Sequence, residues 1–150
     1  MTNKLRCFIF VCVFAIFLLL MGCSDGATKA EIFVAVEKEH PTIIQCMQTN
    51  NYDDCKKISI VKEITQYDDY VDFYCGGSGM GGQTSYRGFY YFENDELEYI
   101  QVCLGELIDG NGGNMFIPCG NGYLWQEKGG DNTFYFEKIA NHIYYYEQEF

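Results

Sequence analysis

The spacing of apolar and polar residues predicts helices first and strands afterwards. After an apolar amino-terminal run, residues 28–39 have the length and composition of a helix, although their central apolar segment also fits a buried strand. Thr28 and Glu31 have the spacing of a capping box, which favours the helix. Pro41 predicts a break, followed by a second short helix over residues 41–48.

Beyond residue 50, short β-branched and aromatic runs alternate with Asp, Asn and Gly, a pattern typical of antiparallel hairpins. The predicted strands cover residues 58–67, 70–75, 85–93, 97–103, 123–127, 133–138 and 142–147, and residues 115–117 are a candidate for a short eighth strand. The predicted fold class is α+β, with an N-terminal helical segment packed on a twisted antiparallel meander sheet or open barrel.

Aromatic residues fall on both faces of these strands, so either both faces are covered or one is an exposed aromatic surface. Core packing is the simpler interpretation. The functional interpretation is a recognition surface, because tyrosine offers a large contact area with a polar hydroxyl. Tyr144 and Tyr146, on the carboxy-terminal strand, are the candidates for that surface.

Composition favours one folded domain, since 48% of the 150 residues are hydrophobic and 17% are aromatic. Eight basic and 21 acidic residues follow position 22, so residues 23–150 carry a formal charge of −13. Such a body is repelled by phosphate backbones and by anionic lipid headgroups. Nucleic acid is therefore excluded as the expected partner.

The amino terminus has the features of an export signal. Lys4 and Arg6 precede the fourteen apolar residues 7–20, and the small residue Gly22 follows them. The sequence LMGC at residues 20–23 resembles the lipobox of bacterial lipoproteins. The resemblance implies cleavage after Gly22 and a diacylglycerol group on the Cys23 sulfur.

This resemblance implies a signal peptide over residues 1–22, a lipidated tether over 23–27 and one α+β domain over 28–150. Two or three acyl chains give stable membrane anchoring where one chain is marginal. The implied location is the extracytoplasmic face of the cell membrane, or the outer membrane if the host has one. The membrane, through the lipid, is the first expected partner.

Five cysteines remain in the mature body, an odd number that leaves at least one thiol outside any intramolecular disulfide. Cys46–Cys55 and Cys103–Cys119 are the candidate disulfides, because each closes a short loop rich in turn residues; other pairings stay open. Zinc is disfavoured, since no C-x-x-C pair exists and only two histidines, His40 and His142, add nitrogen ligands.

Two further motifs are candidate ligand sites. The glycine-rich residues 75–82 lack the ending of a phosphate-binding loop and predict a flexible connection between hairpins. Residues 109–114 resemble the start of a calcium loop, but Gly113 and Gly120 stand where ligands are needed. No cofactor and no metal are predicted. No nucleophile elbow is present, and the chain is predicted not to be an enzyme.

Two family resemblances bear on function. Residues 71–92 and 141–150 resemble small uncharacterised lipoproteins or secreted proteins of clostridia-type bacteria, which implies no activity. The segment NGYLWQEKGGDNTFYF is similar to the W-x-x-K-G segment of membrane-bound C-type lysozyme inhibitors, through Trp125, Lys128 and Gly129, without their S-G-x-x-Y element. That second resemblance implies a small β-barrel that inhibits a lysozyme.

The leading functional hypothesis is a lipid-anchored, non-catalytic binding or structural module that recognises a cell-envelope protein or glycan. The alternative is an inhibitor of a basic cell-wall hydrolase, which the acidic body would attract. A third hypothesis is a thiol-dependent enzyme that uses the unpaired cysteine.

Overall fold

An antiparallel sheet lies between two helices in the computed structural model, which describes residues 26–80, 83–109 and 116–150. The seven strands are β1 (Glu63–Gln66), β2 (Tyr70–Met80), β3 (Gln83–Phe92), β4 (Ile117–Cys119), β5 (Gly122–Gln126), β6 (Thr133–Ala140) and β7 (Ile143–Glu149). The helices are α1 (Lys29–Thr49) and α2 (Leu97–Asp109), and a short 3-10 helix spans Cys55–Lys57. The predicted α+β class is confirmed, with an open sheet.

The sheet consists of two meanders that meet in its centre. The strand order is β1-β2-β3-β7-β6-β5-β4, and α2 lies in the connection between the two meanders. The central pair β3 and β7 is antiparallel, with Gly88 opposite Tyr146 and Tyr90 opposite Tyr144. Because β1 and β4 are free edges, the barrel implied by the lysozyme-inhibitor resemblance is not present in the described residues.

Helix α1 begins with the predicted capping box. The Glu31 amide donates to Thr28 Oγ1 at 3.3 Å, and the Thr28 amide donates to Glu31 Oε2 at 2.8 Å. The predicted break at Pro41 is wrong, because one helix continues through it. A proline inside a helix removes one backbone hydrogen bond, but the buried residues Ile32, Val36, Ile43 and Cys46 keep one helical face on the sheet across it.

Helix α2 replaces the strand predicted over residues 97–103. The aromatic and β-branched residues of that short window suggested a strand, but Ile100 and Leu104, four residues apart, are both buried on one helical face. The Glu96 amide donates to Asn94 Oδ1 at 3.0 Å and forms a turn just before the helix. The candidate eighth strand exists as β4, shifted to Ile117–Cys119, so the count stays at seven.

Two other predicted boundaries also change. The first strand covers only Glu63–Gln66 of the predicted residues 58–67, because the 3-10 helix and a turn occupy the chain before it. The glycine-rich segment is not a flexible connection over its described part. Instead, residues 75–80 extend β2, and Gly77 pairs with Tyr86 of β3 after a local register shift.

The strands bury aromatic side chains on both faces, so the sheet has two cores. Alternate residues of β7 enter opposite cores: Ile143 and Tyr145 pack under α1, whereas Tyr144 and Tyr146 pack under α2. The α1 core also holds Phe73 and Phe89 from the sheet, and the α2 core holds Tyr90, Phe92, Trp125, Phe134 and Phe136. Two covered faces explain why the strands do not alternate apolar with polar residues.

An ion pair fixes the first residue of α1 to the sheet. Lys29 Nζ lies 2.6 Å from Glu137 Oε1, and the Glu137 side chain is only 4% exposed. The same ammonium lies over the rings of Tyr135, Tyr145 and Phe33, at 4.8, 5.3 and 5.6 Å from their centroids. The Lys29 ammonium therefore neutralises the buried Glu137 carboxylate while it contacts the three aromatic rings.

We expect Lys29→Met to lower the free energy of unfolding by about 1–3 kcal/mol, because it keeps the apolar stem but leaves the Glu137 carboxylate buried without a cation. Urea unfolding measures the change. Lys38→Met is the control, since Lys38 is exposed in its pair with Glu39, and its effect is expected to stay within about 0.5 kcal/mol. The double variant with Glu137→Gln should recover part of the loss; equal effects of the two lysine variants would contradict the assignment.

Candidate functional site

Four tyrosines of the sheet, of which Tyr135 is half-buried and the other three are buried, donate their hydroxyls to carboxylates. Tyr145 Oη donates to Glu147 Oε2 at 3.2 Å, and Tyr135 Oη donates to Glu137 Oε2 at 2.6 Å, both on the α1 face. On the α2 face, Tyr144 Oη donates to Asp95 Oδ1 at 2.6 Å, and Tyr146 Oη donates to Asp72 Oδ1 at 3.0 Å. The acidic residues therefore satisfy hydroxyls that the sheet removes from water.

Three of these four carboxylates also have a basic partner. Lys29 pairs with Glu137 as described, Arg87 Nε lies 2.5 Å from Glu147 Oε1, and Lys138 Nζ lies 2.5 Å from Asp95 Oδ2. The fourth carboxylate, Asp72, forms no ion pair with a lysine or arginine of the described residues. Asp72 is thus the exception in a repeated arrangement, and we take it as the candidate site.

Gly88 makes the contact between Tyr146 and Asp72 possible. Tyr146 lies on β7 and Asp72 on β2, with β3 between them, so the tyrosine ring must cross over β3 at Gly88. A Cβ atom at position 88 would lie 2.7 Å from Tyr146 Oη and 2.8 Å from its ring. Glycine is therefore needed for the close approach of this ring to the strand.

The pKa values of Asp72 and Asp95 differ in direction, because only Asp95 has a basic partner. Burial raises the pKa of Asp72 to about 6, the Tyr146 hydrogen bond opposes this rise, and the nearby charge of Glu63 adds to it. Burial also acts on Asp95, but hydrogen bonds from Lys138 and Tyr144 outweigh it, and the pKa of Asp95 lies below its ordinary value. Asp72 is ionised at neutral pH without such compensation.

Two tyrosines neighbour Asp72: Tyr146 donates to its carboxylate, and Tyr90 lies opposite it in register. Tyr90 stacks on Tyr146 with ring centroids 4.3 Å apart, and Tyr70 contacts Tyr90 edge to face at 5.1 Å. Burial, together with the charge of Asp72, raises the pKa of Tyr90 and Tyr146, so both rings stay neutral. The faces of Tyr90 and Tyr146 are occupied by stacking in the α2 core. The Asp72 carboxylate, with Glu63 as a second acid nearby, is therefore the group suited to a cationic partner.

A groove beside α1 is a second candidate site, with a weaker chemical signal. It has a volume of about 690 Å³ and is lined by Val34, Lys38 and Lys57 among others. Its lysines already have acidic partners: Lys57 lies 2.6 Å from Asp54, and Lys38 lies 3.0 Å from Glu39. The groove therefore has internal charge pairs where the Asp72 site lacks one.

The prediction that Tyr144 and Tyr146 form an exposed binding surface is wrong. They are 3% and 2% exposed, because their face of β7 packs under α2. Tyr146 nevertheless belongs to the candidate site, because its hydroxyl donates to Asp72. One sequence signal was available: Asp72 alternates with Tyr70 and Tyr74, so a lone acid falls on an aromatic face.

The four cysteines of the two candidate disulfides are free thiols in the structure. Cys46 and Cys55 are both buried in the α1 core, and a hydrogen bond with Cys46 contributes, after burial, to the raised pKa of the Cys55 thiol. Both are free thiols here, and their disulfide stays a prediction. Cys103 packs against the α2 core, and Cys119 is exposed and pairs in register with Gly122; both are free thiols, and their disulfide also stays a prediction.

Several predicted features lie outside the described residues. They include the signal and the lipidation residue Cys23, and most of the calcium-loop candidate at residues 109–114. Within the described ranges, no helix is long and apolar enough to cross a membrane. In the same ranges, no group of three or more His, Cys, Asp and Glu side chains could hold a metal ion.

The remaining motif residues have structural surroundings. His142 has a positive φ of 67°, its Nδ1 lies 3.0 Å from the Phe92 carbonyl oxygen, and its ring stacks on Tyr91. Trp125 is buried in the α2 core, whereas Lys128 and Gly129 lie in the exposed turn between β5 and β6. The matched residues of the W-x-x-K-G segment therefore do not form one surface.

Comparison with protein-family models, with curated proteins and with solved structures gives no match to this chain. The site must therefore be interpreted from its own geometry.

We expect Asp72→Asn to change how stability depends on pH. A folded-state pKa of about 6, above the ordinary 3.8, means that Asp72 contributes stability at low pH that is lost as pH rises through about 6. At pH 7.5 the variant should be more stable than the wild type by up to about 3 kcal/mol, and the difference should vanish near pH 4. Urea unfolding across this range measures it.

Asp68→Asn is the matched control, because it removes the same charge from the exposed turn between β1 and β2. Its stability difference from the wild type should stay small at every pH. If Asp72→Asn behaves like Asp68→Asn, the Asp72 carboxylate is not held at an energetic cost.

Proposed function

We propose that this protein is a lipid-anchored, extracytoplasmic binding module, without catalytic activity of its own, that holds a cationic group of an envelope protein at Asp72. One observation carries the proposal. Four carboxylates accept a hydrogen bond from a tyrosine of the sheet, and among the described residues Asp72 alone of these four lacks a lysine or arginine partner. A bound cation would complete the arrangement.

The charge of residues 23–150 supports a cationic partner. A body with a formal charge of −13 attracts basic proteins over a distance and raises their rate of encounter. Asp72 would then provide the specific contact, because a lysine or arginine that pairs with this carboxylate gains a charge-assisted hydrogen bond. An anionic partner would be repelled.

The thiol chemistry supports a non-catalytic role. Burial raises the pKa of the Cys75 thiol to about 12, and burial also raises the pKa of Cys55 and Cys103. Thiols that stay protonated at neutral pH are poor nucleophiles. The buried cysteines therefore favour a structural role over the thiol-enzyme hypothesis.

Inhibition of a basic cell-wall hydrolase is the second candidate function. It is a special case of the same binding, with the hydrolase as the cationic protein, and the acidic body favours it. A lysozyme activity assay with added protein distinguishes this case. Loss of lysozyme activity that Asp72→Asn restores would support inhibition through this site.

For the anchor, we expect Cys23→Ser to release the protein from membranes or to leave an uncleaved precursor, because the serine hydroxyl cannot take the thioether-linked lipid. Partition between detergent and aqueous phases, with intact mass to follow processing, measures this. Cys119→Ser serves as the control, since it removes an exposed thiol that the lipobox does not contain. Normal processing and unchanged detergent partition of Cys23→Ser would refute the anchor.

For the binding site, we expect Asp72→Asn to weaken binding of a tetralysine peptide by about tenfold or more, the size of a lost charge-assisted contact. Calorimetric titration of the full chain measures the affinity. Wild-type binding should strengthen between pH 5 and 7, because Asp72 ionises through about 6, and the variant should lack this increase. Equal weakening by Asp68→Asn would reduce the effect to general charge attraction and contradict the site.

A further inference from the structure

Gly26 and Ala27, which precede α1, lie against residues 75–77 of β2 in the β2–β3 hairpin. The Ala27 amide donates to the Cys75 carbonyl oxygen at 3.0 Å. A Cβ atom on Gly26 would lie 2.5 Å from the Gly77 amide nitrogen and 2.6 Å from the Gly76 carbonyl carbon. Only glycine allows this approach of two backbones. The segment before α1 is therefore fixed against β2.

The distance from this point to the lipidation residue is short. Cys23 precedes Gly26 by three residues, and three residues span at most about 10 Å when fully extended. If Cys23 carries acyl chains in a bilayer, Gly26 and the neighbouring hairpin must lie close to the lipid headgroups. The point of attachment thus limits which end of the sheet faces the membrane.

Three aromatic residues at this end form what we call the hairpin aromatic cluster: Tyr74, Tyr86 and Phe150. Tyr86 pairs in register with Gly77, and its ring centroid lies 6.2 Å from that of Tyr74 and 6.1 Å from that of Phe150. Tyr86 is 39% exposed and Phe150 is 51% exposed. Backbone hydrogen bonds of 2.9 Å in both directions join Phe150 to Thr84 and hold the carboxy terminus beside the hairpin.

We propose that the hairpin aromatic cluster inserts into the headgroup region of the bilayer and fixes the orientation of the protein on the membrane. Tyrosine and other aromatic side chains favour this region, because it accepts an apolar ring and hydrates a polar group. Glu63, opposite Tyr74 in register, and Glu149, next to Phe150, are exposed acids. The surface therefore suits neutral or zwitterionic headgroups rather than anionic ones.

This inference rests on the proposed lipid anchor and adds an orientation to it. The β2–β3 hairpin faces the bilayer, and the turn between β1 and β2, with Tyr67, Asp68 and Asp69, points away from it. Tyr67 is 46% exposed, close to the exposure of Phe150, which makes it a matched reference at the far end of the sheet.

The test uses the processed, lipidated full chain in phosphatidylcholine vesicles, with tryptophan introduced as Phe150→Trp or as Tyr67→Trp. The wild type, whose single tryptophan is Trp125, gives the background to subtract. Replacing part of the lipid with bromine-labelled phosphatidylcholine should quench most of the added fluorescence of Phe150→Trp and leave that of Tyr67→Trp unchanged. Circular dichroism confirms that both conservative variants fold.

The outcomes separate the anchor from the orientation. Vesicle-bound protein in which both reporters are quenched equally, or neither is quenched, overturns the orientation and leaves the anchor standing. Protein that does not float with the vesicles overturns the anchor and the orientation with it. In addition, the double variant Tyr86→Ser with Phe150→Ser should still float with the vesicles. In the wild type, vesicles should slow amide hydrogen exchange more in the hairpin than at the Tyr67 end, and the double variant should lose this difference. An unchanged difference would contradict the cluster's role.

Discussion

A tyrosine hydroxyl buried in a sheet needs an acceptor, and this requirement connects the layers of the structure. Both faces of β7 are covered, so its tyrosines cannot turn their hydroxyls to water, and carboxylates accept from Tyr144, Tyr145 and Tyr146 in turn. A carboxylate placed in such surroundings then needs a cation. Part of the acidic composition is therefore structural, and it cannot all be assigned to attracting a partner.

The positions of the cations follow from the same requirement. Lys29 fixes α1 over Glu137, Arg87 joins β3 to Glu147 on β7, and Lys138 joins β6 to Asp95 before α2. Each cation links two elements while it neutralises an acid. Asp72 joins β2 to β7 through Tyr146 alone, so the same arrangement remains incomplete at one position. Natural proteins keep such a stability cost where function requires it.

Local signals predicted the parts of the fold that local chemistry determines. The Thr28–Glu31 capping box and the β-branched runs from residue 63 onward specified a helix and most strands. Tertiary packing decided the rest: α1 continues through Pro41 because its buried face does, and residues 97–109 form a helix because Ile100 and Leu104 face the sheet. The Asp72 site was not predicted, since it depends on Tyr146 reaching across β3 at Gly88, a contact between residues distant in sequence.

Gly26, the hairpin and Asp72 all lie along β2, which limits what the site can bind. Asp72 precedes Gly77 by five residues on β2, a distance of about 17 Å along a strand. If Gly26 and the hairpin rest at the headgroups, Asp72 lies in the aqueous layer just above them. A basic segment of another membrane-bound protein would meet this site at a high effective concentration, so even a weak single-cation contact would suffice for binding. A freely diffusing cation would lack that advantage, and competition from salt would displace it first.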